Sequence, residues 1–146
     1  MTEPCIFCAI VAGEAPASIV YRDDSVMAFM DIRPVNAGHV LVTPLKHEMS
    51  VLSLGDDTAS HMFTVGRRVA AALKDAGVRL EGFNLFLADG AVAGQTVFHV
   101  HLHVLPRFVG DGLGFRRPAD MKVPPQSELD ETAERIRRAA GWGDTQ

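Results

Sequence analysis

Apolar positions follow two different periods along the chain. IVYRDD and VMAFMDI, residues 19–24 and 26–32, are rich in strand-forming side chains and flank the turn-forming RDDS at 22–25. They are predicted as two strands of a hairpin. GHVLVTP, residues 38–44, reads as a third strand; Pro34 and Gly38 bound the loop before it, and Pro44 ends it. The period then changes. Within residues 53–77, Met62, Val65, Val69, Ala72 and Leu73 recur at spacings of three and four, which lines one face of a helix, and Gly77 is its predicted stop. FNLFLAD, residues 83–89, is a fourth strand, ADGAVAG a small-residue loop, and TVFHVHLHVLP, residues 96–106, a fifth strand.

The ends are less regular. CIFCAIVAGE, residues 5–14, reads as a short helix or turn broken at Gly13. Residues 109–126 are rich in Gly and Pro and are predicted to be extended; Ser127 with Asp130 is the predicted cap of a last helix through Ala140. Strands come in runs rather than alternating with helices. That favours an α+β fold, a five-stranded antiparallel sheet with packed helices. No internal repeat or boundary interrupts the chain, so one domain spanning 1–146 is expected, with an extended tail and helix from about residue 109.

Length and composition narrow the class. A chain of 146 residues, 47% hydrophobic, suits one sizeable core. Its 14 basic and 18 acidic residues give a formal net charge of −4, which argues against a duplex nucleic-acid binder but not against a small nucleotide. No apolar run approaches the ~20 residues that cross a membrane. The first residues carry Glu3 and no basic head, a poor signal peptide, so the predicted address is cytoplasmic. Cys5 and Cys8, two residues apart, make a poor structural disulfide; metal ligands, a redox pair or two small buried side chains remain open.

The chemistry concentrates in GQTVFHVHLHVLPR, residues 94–107. On a strand of period two, His99, His101 and His103 share one face, roughly 7 Å apart, and Phe98, Val100, Leu102 and Val104 share the other. The apolar face is core. The histidine face calls for metal binding, nucleophilic chemistry or both. Imidazole and thiolate suit zinc, and Cys5, Cys8, one strand histidine and one distant histidine would complete a four-ligand site. A second histidine is then available to attack phosphorus, with a partner to fix its tautomer and donors to hold phosphate oxygens. Gly94, Gln95 and Thr96 stand just upstream.

His99, Val100, His101, Leu102, His103, Val104 and Leu105 fill the pattern of the histidine triad, and the chain resembles the HIT family from Cys5 to about Gly112, including AFMDIRPVNAGHVLVTPLKH. The resemblance implies a protein that binds purine nucleoside phosphates and breaks a bond at the α-phosphorus. His101 would be the nucleophile and form a nucleotidyl-histidine intermediate. His103 would sit beside the phosphate and His39 would line the same site. Gln95 would reach the bridging oxygen or leaving group, Thr96 would hold a phosphate oxygen, and Asp31 would accept from the ribose hydroxyls. Phe7, Ile10, Phe29 and Ile32 would wall the base pocket, and Arg107 would meet a distal phosphate.

The resemblance extends to a zinc-bearing, bacterial-type branch, in which Cys5, Cys8, His47 and His99 would hold a structural zinc. No organic cofactor and no catalytic metal are implied. The redox reading of CxxC leaves His47 and His99 unexplained. One departure stands out: the family's asparagine seven positions before the glutamine is Ala88 here, with Asp89 and Asn84 as the nearby candidates to compensate. His61 reads as structural or surface. Phe115, Arg116 and Arg117 are candidates for an interface or an approach to a neighbouring chain's substrate, and a homodimer is expected. The function implied is a nucleotide hydrolase or nucleotidyl transferase acting on phosphoramidates or dinucleoside polyphosphates. The alternative is a purine-nucleotide sensor or interaction protein with vestigial catalysis.

Overall fold

The computed structural model describes residues 4–114 and 117–143. Phe115 and Arg116 lie outside the described residues. The chain divides into two compact units, Met1–Asp111 and Gly112–Gln146.

In the first unit, α1 (Ile6–Val11) is followed by β1 (Ile19–Arg22), β2 (Val26–Met30) and β3 (Val40–Pro44), then α2 (Asp56–Asp75), β4 (Gly82–Leu87) and β5 (Leu102–Arg107). The strands form one sheet in the order β1-β2-β3-β5-β4, and every neighbouring pair is antiparallel. The hairpin turn at Asp23–Ser25 is held by the Asp23 carboxylate, which accepts from the amides of Ser25 and Val26. The same carboxylate accepts from the Tyr21 hydroxyl and pairs with His61 of α2, so His61 ties helix to hairpin. Hydrogen bonding to His61, the largest effect, holds the Asp23 carboxyl well below the usual carboxylate range.

Both faces of the sheet are covered, which explains why β2 and β3 read as continuous apolar runs rather than strict alternation. On one face, Met62, Val65, Val69, Ala70 and Leu73 of α2 pack on Val26, Val40, Val42, Leu102 and Val104. On the other, Phe7 and Ile10 of α1 pack on Met27, Phe29 and Leu41. The buried stripe of α2 therefore passes through Ala70, whereas Ala72, expected in the core, is exposed. Gly66 on that stripe sits so close to β5 that a Cβ there would meet Leu102 Cδ2 at 2.8 Å.

The fifth strand differs from its prediction. Ladder pairing begins at Leu102, and residues 96–101 run outside it. Instead the Val100 amide donates to the Glu48 carbonyl, and the Val100 carbonyl accepts from the Thr43 hydroxyl. Alternation survives this loss of pairing only from residue 99 on: Val100 and Leu102 join the α2 core, and His103 lies opposite Leu41 and Phe86. Phe98, expected on the core face, is instead 42% exposed because it precedes the packed stretch.

The second unit contains α3 (Gln126–Ala140). Its expected Ser127–Asp130 cap does not form; Pro125 occupies the N-cap without a side-chain bond, and Gln126 donates to Asp130 instead. Proline suits the position because it has no amide hydrogen to satisfy. Among the described residues, no helix is long and apolar enough to cross a membrane.

Candidate active site

The three alternate histidines are brought together with His39, yet each is held differently. His101 is buried, and its Nδ1 lies 2.7 Å from the carbonyl oxygen of His99. A carbonyl only accepts, so Nδ1 carries the hydrogen and Nε2 keeps a lone pair. His39, 1% exposed, receives the Val35 amide at Nδ1 and places Nε2 2.9 Å from His103 Nδ1. The amide fixes the direction of that pair: His39 donates from Nε2, His103 accepts at Nδ1, and His103 carries its own hydrogen on Nε2. The two neighbouring imidazoles, His101 and His103, have ring centroids 4.8 Å apart, nearer than the pleat repeat alone gives.

Aromatic rings set the orientation of this group. Phe7 of α1 meets His101 edge-on at 5.1 Å, and Phe86 of β4 stacks on His103 at 4.3 Å with the planes 5° apart. Burial dominates the electrostatics. It lowers the pKa of His101, against the pull of the His99 carbonyl and Asp31. It lowers that of His39 as well, again opposed by Asp31. His103 is pushed down to about 4, first by burial and then by His101 and His39. The cluster is therefore neutral at physiological pH, as a nucleophile and a neutral hydrogen-bond donor require.

His99 belongs to a second cluster. Its Nε2 donates to the Pro44 carbonyl at 2.8 Å, which leaves the lone pair on Nδ1. That nitrogen lies 3.5 Å from Cys5 Sγ and 3.6 Å from Cys8 Sγ, while His47 Nδ1 lies 3.3 Å from Cys8 Sγ. All four ligand atoms fall within 4.8 Å of one another. The two thiols belong to the first turn of α1, where Cys5 is the N-cap and accepts from the Cys8 amide. Burial and the Cys5 thiol push the Cys8 thiol up. Two sulfurs and two imidazole nitrogens, each presenting a lone pair to one point, fit a tetrahedral soft-ligand metal site.

A cavity of about 420 Å³ opens beside the first cluster. Its lining includes His101, His103, Thr96 and Asp31, and all four expected wall residues, Phe7, Ile10, Phe29 and Ile32. Asp31 is held in place at its amide, which donates to the His39 carbonyl, and at Oδ1, which accepts from the Arg33 amide. Gly38 lets the chain turn from this loop into β3: its φ is +92°, and a Cβ there would meet Val78 at 2.7 Å.

Three expected site residues stand outside the cavity lining: Gln95, Arg107 and His39, which meets it through His103. Gln95 is buried, with Oε1 accepting from the Gly90 amide and Nε2 donating to the carbonyls of Met49 and Val97. It clamps the loop that presents Thr96. Arg107 forks onto Asp111 and donates to Asn84 Oδ1. With Asn84 so engaged, and Asp89 accepting from Ser50 and the Val51 amide, neither stands in for an asparagine at position 88. The reading of the sequence missed Thr43, Phe86 and Arg33, none of which belongs to a motif; only the neighbours supplied by the fold mark them.

Known proteins share this arrangement. A family model described as the HIT domain matches residues 12–110. A HIT-like protein of Borreliella burgdorferi is 46% identical over 114 residues, covering 77% of this chain and 82% of the relative. The crystal structure of a Zn-bound histidine triad family protein from Mycobacterium smegmatis is 43% identical with a TM-score of 0.72, covering 93% and 91% of the two chains. That of a histidine triad nucleotide-binding protein from Candida albicans is 30% identical with a TM-score of 0.84, covering 94% and 98%.

Proposed function

The chain belongs to the HIT family, and from that premise we propose that it is a nucleotide hydrolase or nucleotidyl transferase that works through His101. The observation that carries this reading is the tautomer of His101: its Nδ1 hydrogen is held by the His99 carbonyl, so Nε2 presents a lone pair beside the cavity. In the proposed reaction, Nε2 attacks the α-phosphorus of a purine nucleotide and a phosphorus–nitrogen bond forms. The bond from phosphorus to the leaving group breaks; His103 Nε2–H hydrogen bonds the departing atom, which takes its proton from water at the mouth of the cavity. Water or another acceptor then attacks the same phosphorus, the phosphorus–nitrogen bond breaks, its electron pair returns to His101 Nε2, and the proton of the attacking water passes to solvent. Asp31 accepts from the ribose hydroxyls, Thr96 holds a phosphate oxygen, and Phe7, Ile10, Phe29 and Ile32 enclose the base. His39 fixes His103, and Gln95 contributes through the loop it clamps.

Cys5, Cys8, His47 and His99 would hold zinc as a structural ion, which contributes folding energy. The Mycobacterium smegmatis relative, described as Zn-bound, supports this assignment, and the nucleotide-binding protein of Candida albicans supports the substrate class. A cytoplasmic homodimer is part of the same reading. Phe63 on α2 is 53% exposed and Phe83 on the sheet-edge strand β4 is 49% exposed, which suits an interface between copies.

Hydrolysis of adenosine 5'-phosphoramidate by the wild type and by His101→Ala tests the proposal. Turnover falls by at least ~100-fold in the variant; equal rates sink the enzyme reading. The second reading, a nucleotide sensor with vestigial turnover, is favoured by Ala88, because Asp89 and Asn84 are both committed elsewhere. Tight nucleotide binding with no His101-dependent turnover would establish it.

A further inference from the structure

On the proposed reading His103 has to keep its Nε2–H aimed at the departing atom. Its one side-chain hydrogen bond among the described residues runs from His39 to Nδ1. A single bond fixes a point and leaves the ring free to turn about it. The plane is set from the sheet. His103 of β5 pairs across the ladder with Phe86 of β4, and the two rings lie face to face, centroids 4.3 Å apart and planes 5° apart. β4 is the last strand in the sheet order, so Phe86 covers a side of His103 that no further strand would cover. Leu41 of β3 flanks the opposite side. Leu85 and Leu87, which alternate with Phe86, pack on the α2 core instead. Phe86 does not line the cavity, whereas His103 does, so its influence on a bound nucleotide passes through the imidazole.

We propose that Phe86 is a positioning residue for this reaction: its ring seats the His103 imidazole and shields it from water, so that Nε2–H stays on the departing atom. The inference rests on the nucleotide reading and goes beyond it to a residue outside the triad pattern. Seating and shielding serve one end. A second proton on His103 would sit on Nδ1, against the Nε2–H of His39, and two donors cannot share that bond. Protonation therefore breaks the bond and frees the ring. Burial, the largest cause of the low pKa of His103, opposes that proton, as do His101 and His39; Asp31 favours it, and β4 itself carries no titratable side chain. A phenyl face by itself attracts a cation, so the flat contact and the burial pull in opposite directions on the charged ring, and burial prevails.

Steady-state hydrolysis of adenosine 5'-phosphoramidate and an NMR titration of the His103 imidazole, both on the full-length chain, test it. In Phe86→Ala, kcat falls about tenfold while KM stays within about twofold, and the acid limb of kcat moves to higher pH. His103 then titrates above its value of about 4, toward the ordinary 6.5. Phe86→Leu keeps the burial without the flat ring, so the titration stays low while kcat falls severalfold. Phe86→Tyr restores the ring and returns kcat to within about twofold of the wild type. A KM rise as large as the fall in kcat would put Phe86 on the substrate and overturn the inference. An unmoved His103 titration in Phe86→Ala would overturn it too, because the shield would then lie elsewhere. If the alanine variant does not fold, the leucine variant decides: wild-type kcat there sinks the inference alone. A wild type without turnover sinks the nucleotide reading and takes the inference with it.

Discussion

His99 and His101 are two residues apart on one stretch of chain, buried to a similar degree, and they do opposite things. His99 gives its Nε2 hydrogen to the Pro44 carbonyl and turns Nδ1 toward two thiols. His101 gives its Nδ1 hydrogen to the His99 carbonyl and leaves Nε2 for the cavity. The residue type is the same, and the backbone oxygen each ring meets decides which nitrogen is presented. On the proposed reading, the ring that bonds through its far nitrogen would be the metal ligand, and the one that bonds through its near nitrogen would be the nucleophile. The comparison also shows that the two sites are joined: the peptide oxygen that sets the His101 tautomer belongs to the residue anchored in the metal cluster.

The sharpest separation of the two sites is expected from His101→Ala. Phosphoramidate turnover falls at least ~100-fold while metal content by elemental analysis stays at the wild-type level. Loss of metal in that variant would break the division of labour. Cys5→Ser acts on the other side. Stoichiometric zinc is lost and the melting temperature falls by roughly 5–10 °C, the equivalent of ~3 kcal/mol for a chain of this size. Zinc retained at wild-type stoichiometry would refute the ligand set.

A pH titration sharpens the contrast further. His103, with its pKa at about 4 against an ordinary 6.5, stays neutral in the folded chain while the unfolded chain binds a proton. Stability is therefore complete above about pH 6.5 and is lost as pH falls toward 4, by about 1–3 kcal/mol from this group. Denaturant unfolding at pH 7.5 and 4.5 measures it, and His103→Asn should show the shallower dependence.

Smaller effects are expected from the supporting packing. In Gly66→Ala the new methyl presses Leu102, which lies between His101 and His103, toward the cavity. Turnover drops severalfold, and stability changes by only ~1 kcal/mol because better helix propensity offsets the crowding. Gly66→Ala with Leu102→Val restores the rate; no recovery would mean that the contact does not act through the histidines. Least affected is Arg107→Met, which removes the fork onto Asp111. Stability falls by about 1–2 kcal/mol, and a KM change beyond twofold would return Arg107 to the substrate.

Much of this was legible in the sequence because it depends on local periods. The five strands, the main helix and the shared face of the three histidines follow from spacing alone. The cluster of Cys5, Cys8, His47 and His99 came from the family pattern. What was not legible depends on distant partners. The fifth strand starts at Leu102 because Thr43 and Glu48 bind the peptide groups of Val100 before a ladder can. Ala70 rather than Ala72 is buried because of where the sheet meets α2, which no count along a helix gives. Gln95 makes three hydrogen bonds with its two side-chain polar atoms, all to backbone groups 2 to 46 residues away.

The line from Val35 to His39 to His103 begins at a peptide amide, and an amide neither surrenders nor gains a hydrogen under these conditions. Beside it, Asp31 Oδ2 stands 3.7 Å from His39 Nδ1, and Asp31 itself lines the cavity. In the proposed reaction, the hydrogen that departs with the leaving group therefore comes from the open mouth of the cavity, so turnover is gated by solvent entry rather than by any route through the interior.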